Sequence, residues 1–271
     1  DSLPAGVKLI MTGLNPLMEY QQGLSFGDHH HIGIPDQKLR LTVYNLIRAF
    51  IPHLIALSVN SPFVNGRPTD AVMLKDGKLQ APGCVRSVRL QLNVRQLGPD
   101  DPQHYIPHLK SLDEDFFEKT IGRTPARMCD MYPFTRYGTV EARFFDCQIS
   151  VIRKVSLAAL LQAIALKAKK LVESKEEIPE MDSETLIKNR RSAIRWGLTG
   201  PFFKPRDFES FVKKHPDFAR MYFFDYKSGG KEPVKRLVDA VKNMFFYLRE
   251  ELEELGLLKS EYLNPLLISV Y

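Results

Sequence analysis

The sequence predicts an α+β fold, in which strands and helices are mixed up to about residue 150 and helices dominate afterwards. Two observations support this prediction. Short apolar or alternating segments bounded by Gly and Pro fill the first part, whereas long stripes of helical period begin at Val151. The 271 residues are 44% hydrophobic and 26% charged, which is typical of a soluble globular protein with a sizeable core.

Four segments of the first part have the pattern of strands. Residues 7–12 and 29–34 are short apolar runs that end at Gly or Pro. Residues 88–94 and 138–146 alternate between apolar and polar side chains, as half-buried strands do. We therefore expect these segments to form the sheet.

Helical spacing predicts the remaining elements. Residues 38–58 form a helix that Asp36 caps and that Pro52 should bend or divide. A short helix opens at residue 111 with acidic residues in its first turn, where the helix dipole favours them. After residue 150 the helical stripes predict four further helices, at 151–173, 183–197, 205–215 and 232–255.

Charge and composition exclude several classes of protein. The net charge of +6 fits an anionic partner or an ordinary solvated surface. Aromatic residues do not interleave with basic ones, so nucleic-acid binding has little support beyond charge. No apolar run approaches the ~20 residues of a membrane span. The three widely spaced cysteines form neither a zinc pattern nor a disulfide framework, which favours the cytoplasm.

A run of three histidines, at residues 29–31, is the first candidate site. It is internal, so a cloning tag is a poor explanation. On a strand, His29 and His31 point to one side and His30 to the other. The pair could share a metal or an anionic ligand, or could be ordinary hydrogen-bonded strand residues.

Charged residues on two other segments are the second candidates. Glu141 and Arg143 share one side of a predicted strand and must be paired, hold a ligand or face water. A carboxylate suits Mg²⁺, and a guanidinium suits phosphate or carboxylate. Arg191 and Arg195 lie four residues apart on a predicted helix, where they clamp phosphate or face water. No phosphate-binding glycine loop or nucleophile elbow is present in the sequence.

Four motifs occur in a fixed order that resembles the glutamate–cysteine ligase type 2 family. They read G-x-H-x-H-x-G-x-x-D, R-x-x-x-P-x-L-x-A-L-S-x-N-S-P-F-x-x-G, D-x-x-P-x-x-x-x-G-T-x-E-x-R-x-x-D and N-x-x-x-A-x-R-x-G-L. The resemblance covers roughly residues 7–200. The matching positions are Gly27, His29, His31, Gly33, Asp36, Arg48, Pro52, Leu54, Ser58, Asn60, Ser61, Pro62, Phe63, Gly66, Asp130, Pro133, Gly138, Thr139, Glu141, Arg143, Asp146, Asn189, Ala193, Arg195, Gly197 and Leu198.

This resemblance implies a glutamine-synthetase-like antiparallel sheet with helices packed on one face and a helical C-terminal region. It implies an ATP- and Mg²⁺-dependent ligase that joins a carboxylate, usually that of glutamate, to an amine through an acyl phosphate. The roles it implies for individual residues are three: metal ligands (His29, His31, Glu141), catalytic groups facing phosphate or carboxylate (Arg143, Arg195), and substrate-binding groups (Arg48, Asn60, Ser61).

Three departures from the family pattern shape these expectations. The sequence contains no G-x-E-x-E strand, which holds metals in the family, and its segment from Pro16 to Gly27 is short. Tyr132-Pro133-Phe134 stands where the family has Arg-Pro-Ser. We expect an incomplete catalytic unit over residues 1–200, with a helical extension over 201–271. The alternative is a non-catalytic relative acting as a regulatory or interaction subunit, and a homo-oligomer stays open.

Overall fold

The structure is a computed structural model with an α+β arrangement of one small antiparallel sheet and many helices, as the sequence predicts. It describes residues 26–64, 67–68, 73–75, 78–80, 85–87, 89–90, 108–121, 129–134, 136–223 and 233–270. The predicted strand at 7–12 and the motif residue Gly66 lie outside these residues. Within the predicted strand at 88–94, Arg89 and Leu90 are helical, so the strand prediction is wrong there.

Three strands form the main sheet, in the order β1 (Gly27–Gly33), β7 (Thr139–Asp146) and β6 (Met131–Tyr132). All neighbours are antiparallel, and the predicted strands at 29–34 and 138–146 are confirmed within one or two residues. Two separate two-stranded hairpins are not part of this sheet. The first pairs β2 (Phe63–Val64) with β3 (Arg67–Pro68), and the second pairs β4 (Met73–Lys75) with β5 (Lys78–Gln80).

A β-bulge interrupts the pairing of β1 with β7. Asp28 lies opposite Phe145, but His30 lies opposite Ala142, so two residues of β7 face His29 alone. Such a bulge twists the strand locally and changes the direction of its side chains. Phe144 and Phe145 are consequently both buried, although they are adjacent on one strand.

Helix α1 (Gln37–Ser58) runs through the centre of the core. The Asp36 carboxylate accepts a 2.6 Å hydrogen bond from the Leu39 amide, which confirms the predicted cap. Pro52 does not divide the helix, because every residue from 42 to 58 is buried and tertiary packing holds the helix across the missing hydrogen bond. α1 is long and apolar enough for a membrane span, but 94% of its most apolar window is buried, as in the core helix of a soluble protein.

Eight further helices complete the described part of the fold. The predicted helix at 232–255 is broken at Leu248, and the one predicted at 205–215 begins only at Phe208. The helices are α2 (Glu114–Ile121), α3 (Val151–Ser174), α4 (Ser183–Trp196), α5 (Phe208–Lys214), α6 (Pro216–Ala219), α7 (Leu237–Tyr247), α8 (Arg249–Glu254) and α9 (Asn264–Val270).

The core lies between β7 and these helices. α1 contacts β7, α3, α4 and α7, and Val140, Ala142 and Phe144 of β7 are fully buried. The alternate residues of β7, which include Glu141 and Arg143, therefore point to the other face of the sheet. The division of the chain at residue 200 stays a prediction.

Candidate functional site

Three charged or titratable side chains converge on one oxygen of Glu141. Its Oε1 lies 3.2 Å from His29 Nδ1, 3.7 Å from His31 Nε2 and 2.5 Å from Arg143 Nη1. His31 is directly opposite Glu141 across the β1–β7 pair. His29 and Arg143 are each two residues away along their own strand, which is the period that returns a side chain to the same face.

The cluster combines a buried carboxylate with accessible imidazoles. The Glu141 side chain is 8% exposed, whereas those of His29 and His31 are 38% and 43% exposed. Burial alone would raise the pKa of the Glu141 carboxyl. The hydrogen bond with His29 and the charges of Arg143 and the two histidines outweigh burial and hold the pKa below its ordinary value. The site therefore has an ionised carboxylate at its base.

Neighbouring groups fix the orientation of the two imidazoles. Thr139 Oγ1 lies 3.0 Å from His31 Nδ1, so His31 is held between a hydroxyl and the Glu141 carboxylate. His30 faces the opposite side of the sheet, as predicted, and packs edge-on against Phe145 with ring centroids 5.0 Å apart. Only the first and third histidines of the run therefore belong to the cluster.

Where the family has an arginine, this chain has Tyr132, and its ring is part of an aromatic cluster. Tyr132 lies directly opposite Glu141 on β6, and its hydroxyl donates a 2.6 Å hydrogen bond to Glu114 Oε1 on α2. The Tyr132 ring packs against Phe117 and Phe134. This side of Glu141 is thus closed by packed rings and carries no cation at that position.

The predicted substrate-binding residues Asn60 and Ser61 lie at the C-terminal end of β7. The Asn60 amide N–H and the Ser61 hydroxyl each donate a 2.8 Å hydrogen bond to Asp146 Oδ2. The Asn60 side chain donates to the Cys147 carbonyl at 2.9 Å. These bonds anchor the N-S-P-F turn to the strand that carries Glu141, and a role in substrate binding stays a prediction.

Arg89 is a further charged residue near the C-terminal end of β7 that no sequence motif identifies. Its Nε donates a 2.6 Å hydrogen bond to Asp146 Oδ1, and its Nη2 donates to the Phe145 carbonyl at 2.8 Å. The Asp146 side chain has no exposed surface, so this ion pair is buried. The alternating pattern around residue 88 indicated a strand, and only the long-range partner Asp146 identifies Arg89 as part of the site.

The two other arginines predicted to act at the site, Arg48 and Arg195, contact groups outside the Glu141 cluster. Arg48 is buried in α1 and donates to the Met181 carbonyl at 2.7 Å and to Ser183 Oγ at 2.8 Å, near the start of α4. Burial lowers its pKa to about 10. Arg195 lies near the end of α4 with its guanidinium 4.8 Å from the centroid of the Trp196 ring. Their roles toward a substrate or a phosphate stay predictions.

The described part of the chain does not contain a complete set of ligands for a metal ion. Among the residues that the structure describes, no group of three or more His, Cys, Asp and Glu side chains is arranged to hold a metal ion, so metal binding by His29, His31 and Glu141 stays a prediction. Mg²⁺ prefers an octahedral shell of oxygen ligands, whereas this cluster offers one carboxylate and two imidazoles. The Oε1 atom of that carboxylate is also engaged by Arg143. A bound Mg²⁺ would need further oxygen ligands.

Comparisons with known proteins agree with the motif order. Residues 19–70 match the model of Glutamate-cysteine ligase family 2. A Legionella pneumophila protein named "Putative glutamate--cysteine ligase 2-2" is 30% identical over 190 residues, which are 69% of this chain and 47% of that protein. A Gloeobacter violaceus protein named "Putative glutamate--cysteine ligase 2" is 29% identical over 180 residues, 66% of this chain and 45% of that protein.

The matches agree in extent as well as in name. A third protein named "Putative glutamate--cysteine ligase 2", from Herpetosiphon aurantiacus, is 29% identical over 177 residues, which are 65% of this chain and 43% of that protein. The chain thus spans about half the length of the curated relatives that it matches. With the motif order and the family model, these matches show that the chain belongs to glutamate–cysteine ligase family 2.

Proposed function

We propose that this chain is part of an ATP- and Mg²⁺-dependent carboxylate–amine ligase with a glutamine-synthetase-like fold. Its family membership supports this proposal, and the observation that carries it is the convergence of His29, His31 and Arg143 on Glu141. These side chains share the face of the sheet opposite the helical core. Fixed charges on one face of a sheet can stabilise the negative charge that develops during phosphoryl transfer.

The proposed reaction joins the carboxylate of an amino acid, such as glutamate, to an amine. ATP supplies the phosphoryl group that activates the carboxylate, and Mg²⁺ neutralises phosphate charge. In this chain, Arg143 would contact the negatively charged oxygens that develop during transfer. Glu141 keeps the guanidinium in place, so little reorganisation is needed when the charge appears.

His29 and His31 would complete the charged surface. Both present accessible imidazoles above the Glu141 carboxylate. In its imidazolium form each ring donates from both nitrogens, so it can link Glu141 to an anionic group of the substrate. In the presence of further carboxylates the same three side chains would be ligands of Mg²⁺.

We infer small-molecule substrates and a cytoplasmic location, without a nucleic-acid or membrane partner. Cys129 and Cys147 are both free thiols, as expected in a reducing compartment. ATP and free amino acids are also available in the cytoplasm. Whether two copies of the protein associate is a separate question that sedimentation of the full-length protein answers.

A hydroxylamine trap tests the ligase directly. Full-length protein is incubated with ATP, Mg²⁺, glutamate and hydroxylamine, and both hydroxamate and ADP are measured. We expect equal amounts of the two products, because hydroxylamine intercepts an activated carboxylate. Arg143→Gln should lower the rate roughly 10²–10³-fold, as is usual when a group that stabilises the transition state is removed.

An exposed ion pair provides the matched control. Asp217→Asn alters a surface pair with Arg220, in which both side chains are more than half exposed, and should leave the rate unchanged. Absence of both hydroxamate and ADP with glutamate and other acidic amino acids would support a non-catalytic interaction subunit. The aromatic cluster at Tyr132, where the family has an arginine, favours that second candidate.

A further inference from the structure

A large apolar patch lies around the first two turns of α3. Thirteen large apolar side chains are exposed in the described part of the chain, and six of them lie here. Each of the six is between 41% and 78% exposed, and together they form what we call the α3 patch: Ile149, Val151, Ile152, Val155, Tyr262 and Ile268. Single exposed apolar residues are ordinary, whereas a contiguous group of this kind marks a surface that another molecule covers.

Hydrogen bonds hold the C-terminal part of the patch against α3. The Ser156 hydroxyl donates to the Tyr262 carbonyl, and the Arg153 guanidinium donates to the Ser269 hydroxyl at 3.0 Å. Ser269 lies on α9 next to Ile268, so Tyr262 and Ile268 both belong to segments that pack on α3. The patch is therefore one surface, although its two parts are distant in the sequence.

The first half of α3 is largely apolar on both of its sides. From residue 151 to residue 164, leucine, isoleucine and alanine line most of its buried face. Its exposed face is also uncharged there, with residues at intervals of four, three and four positions that we call the α3 seam: Val151, Val155, Ala158 and Gln162. This spacing is that of a contact line between two packed helices. A helix that is apolar all round is normally buried all round, so we expect a second helix to cover the seam.

The charges beyond the seam favour an antiparallel arrangement of two copies of this chain. Lys169 and Glu173 follow the seam on the same face of α3, and their side chains are 57% and 63% exposed. Parallel α3 helices would bring each of these charges next to its own like charge in the other copy. Antiparallel helices that cross at Val155 avoid this, because Lys169 is then about 20 Å from the crossing point at 1.5 Å per residue.

The size and shape of the patch also suit two copies. Its six side chains present roughly 600 Å² of surface, against about 800 Å² that each partner buries in an interface of standard size. A two-fold axis covers the same patch on both copies, so neither is left exposed. In an antiparallel crossing centred on Val155, Ile152 of each copy lies opposite Ala158 of the other, and a large side chain meets a small one.

We propose that the α3 patch is the contact surface of a homodimer in which the two α3 helices cross antiparallel at Val155. The occupant of the patch is thus a second copy of the same surface. None of its residues belongs to the Glu141 cluster, so the dimer does not depend on the proposed ligase activity.

Sedimentation equilibrium of the full-length protein over a wide range of concentrations tests the dimer. We expect a monomer–dimer equilibrium in wild type and an association constant at least tenfold smaller in Val155→Glu, because the crossing would bring two carboxylates together out of water. Leu255→Glu is the matched control, since Leu255 is 36% exposed at the end of α8, beside the other half of α3. It should associate like wild type, and thermal unfolding checks that both variants are folded.

A cysteine at the crossing point gives a second test that leaves the patch apolar. A residue on the two-fold axis meets itself, and a disulfide forms only when the two Cα atoms are within about 7 Å. We therefore expect Val155→Cys to form a cross-linked dimer under mild oxidation, and Lys169→Cys on the same helix face to stay uncrosslinked. Wild type under the same oxidant gives the background from the native cysteines.

Three results would overturn the homodimer. The first is a full-length protein that is monomeric at every concentration, and the second is a dimer that Val155→Glu leaves intact. The third is a monomer in which the thiol of Val155→Cys is protected from a maleimide, because another part of the full-length chain would then cover the patch.

Discussion

His31 and Glu141 lie directly opposite each other on β1 and β7, with His31 Nε2 3.7 Å from Glu141 Oε1. This pair joins residues that are 110 positions apart in the sequence. Because the pairing register of the two strands places them together, the integrity of the site depends on the register as much as on the residues.

Replacement of Glu141 by glutamine should remove a part of the acid sensitivity of the protein. The folded-state pKa of Glu141 lies below its ordinary value, so its stabilising effect is fully present above the unfolded value of about 4.3 and is lost as the pH falls through the folded value. Urea unfolding of wild type and Glu141→Gln between pH 3 and 7 measures the difference. The exposed Glu177→Gln should follow the wild-type curve. Parallel curves for wild type and Glu141→Gln would contradict this prediction.

Replacement of Asp146 by asparagine should lower the free energy of unfolding by about 3–5 kcal/mol, because it leaves the buried Arg89 guanidinium without its partner. It also weakens the hydrogen bonds that anchor Ser61 and the Asn60 amide. Chemical denaturation provides the measurement, and Asp217→Asn in a surface pair should change the value by no more than about 0.5 kcal/mol. A loss below 1 kcal/mol for Asp146→Asn would count against a structural role.

The Asn189 side chain makes two hydrogen bonds to the backbone of Phe203, in the segment that follows α4. Its Nδ2 donates to the Phe203 carbonyl at 2.8 Å, and its Oδ1 accepts from the Phe203 amide at 2.7 Å. Asn189→Asp keeps the shape but loses the donor, so we expect a loss of about 1–3 kcal/mol in the free energy of unfolding. Asn264→Asp, on an exposed residue at the start of α9, is the control and should be close to neutral. An equally small effect of both changes would refute the prediction.

His53 should make the protein less stable in mild acid. It is fully buried between Phe50 and Phe202, and burial lowers its pKa to about 3. Below the unfolded value of about 6.5 the unfolded chain binds a proton that the folded protein does not, so stability falls by up to about 1.4 kcal/mol per pH unit until the folded value is reached. His53→Leu should flatten the stability curve between pH 6.5 and 4. The other six histidines are unchanged in this variant, so the difference between the two curves isolates His53.

The sequence was sufficient for the elements whose pattern is local. Asp36 and the helical apolar period identified α1, and the period of two on β1 and β7 grouped His29 with His31 and Glu141 with Arg143. The pairing register of the two strands, which the structure shows, brings the two groups together. The resemblance implied only that His29, His31 and Glu141 share a site. Periodicity could not reveal the break at Leu248, because the apolar stripe continues through it.

Long-range contacts account for what the sequence could not predict. Arg89 and Asp146 are 57 residues apart, and nothing near Arg89 indicates that its partner is a carboxylate at the end of β7. Alternation around residue 88 pointed instead to a strand, although residues 89 and 90 are helical. The surroundings of Tyr132 could not be predicted from the sequence either. Its packing against Phe117 and Phe134 explains why an aromatic residue lies opposite Glu141.

The bulge at His29 also restricts how this strand can change during evolution. Two residues of β7 face one residue of β1 there, so deleting one residue between 142 and 145 would restore an ordinary ladder. That deletion would remove either Arg143 from the Glu141 cluster or Phe144 from the core. We therefore expect relatives that keep this site to vary at β7 by substitution, and to place their length differences in the loops on either side of it.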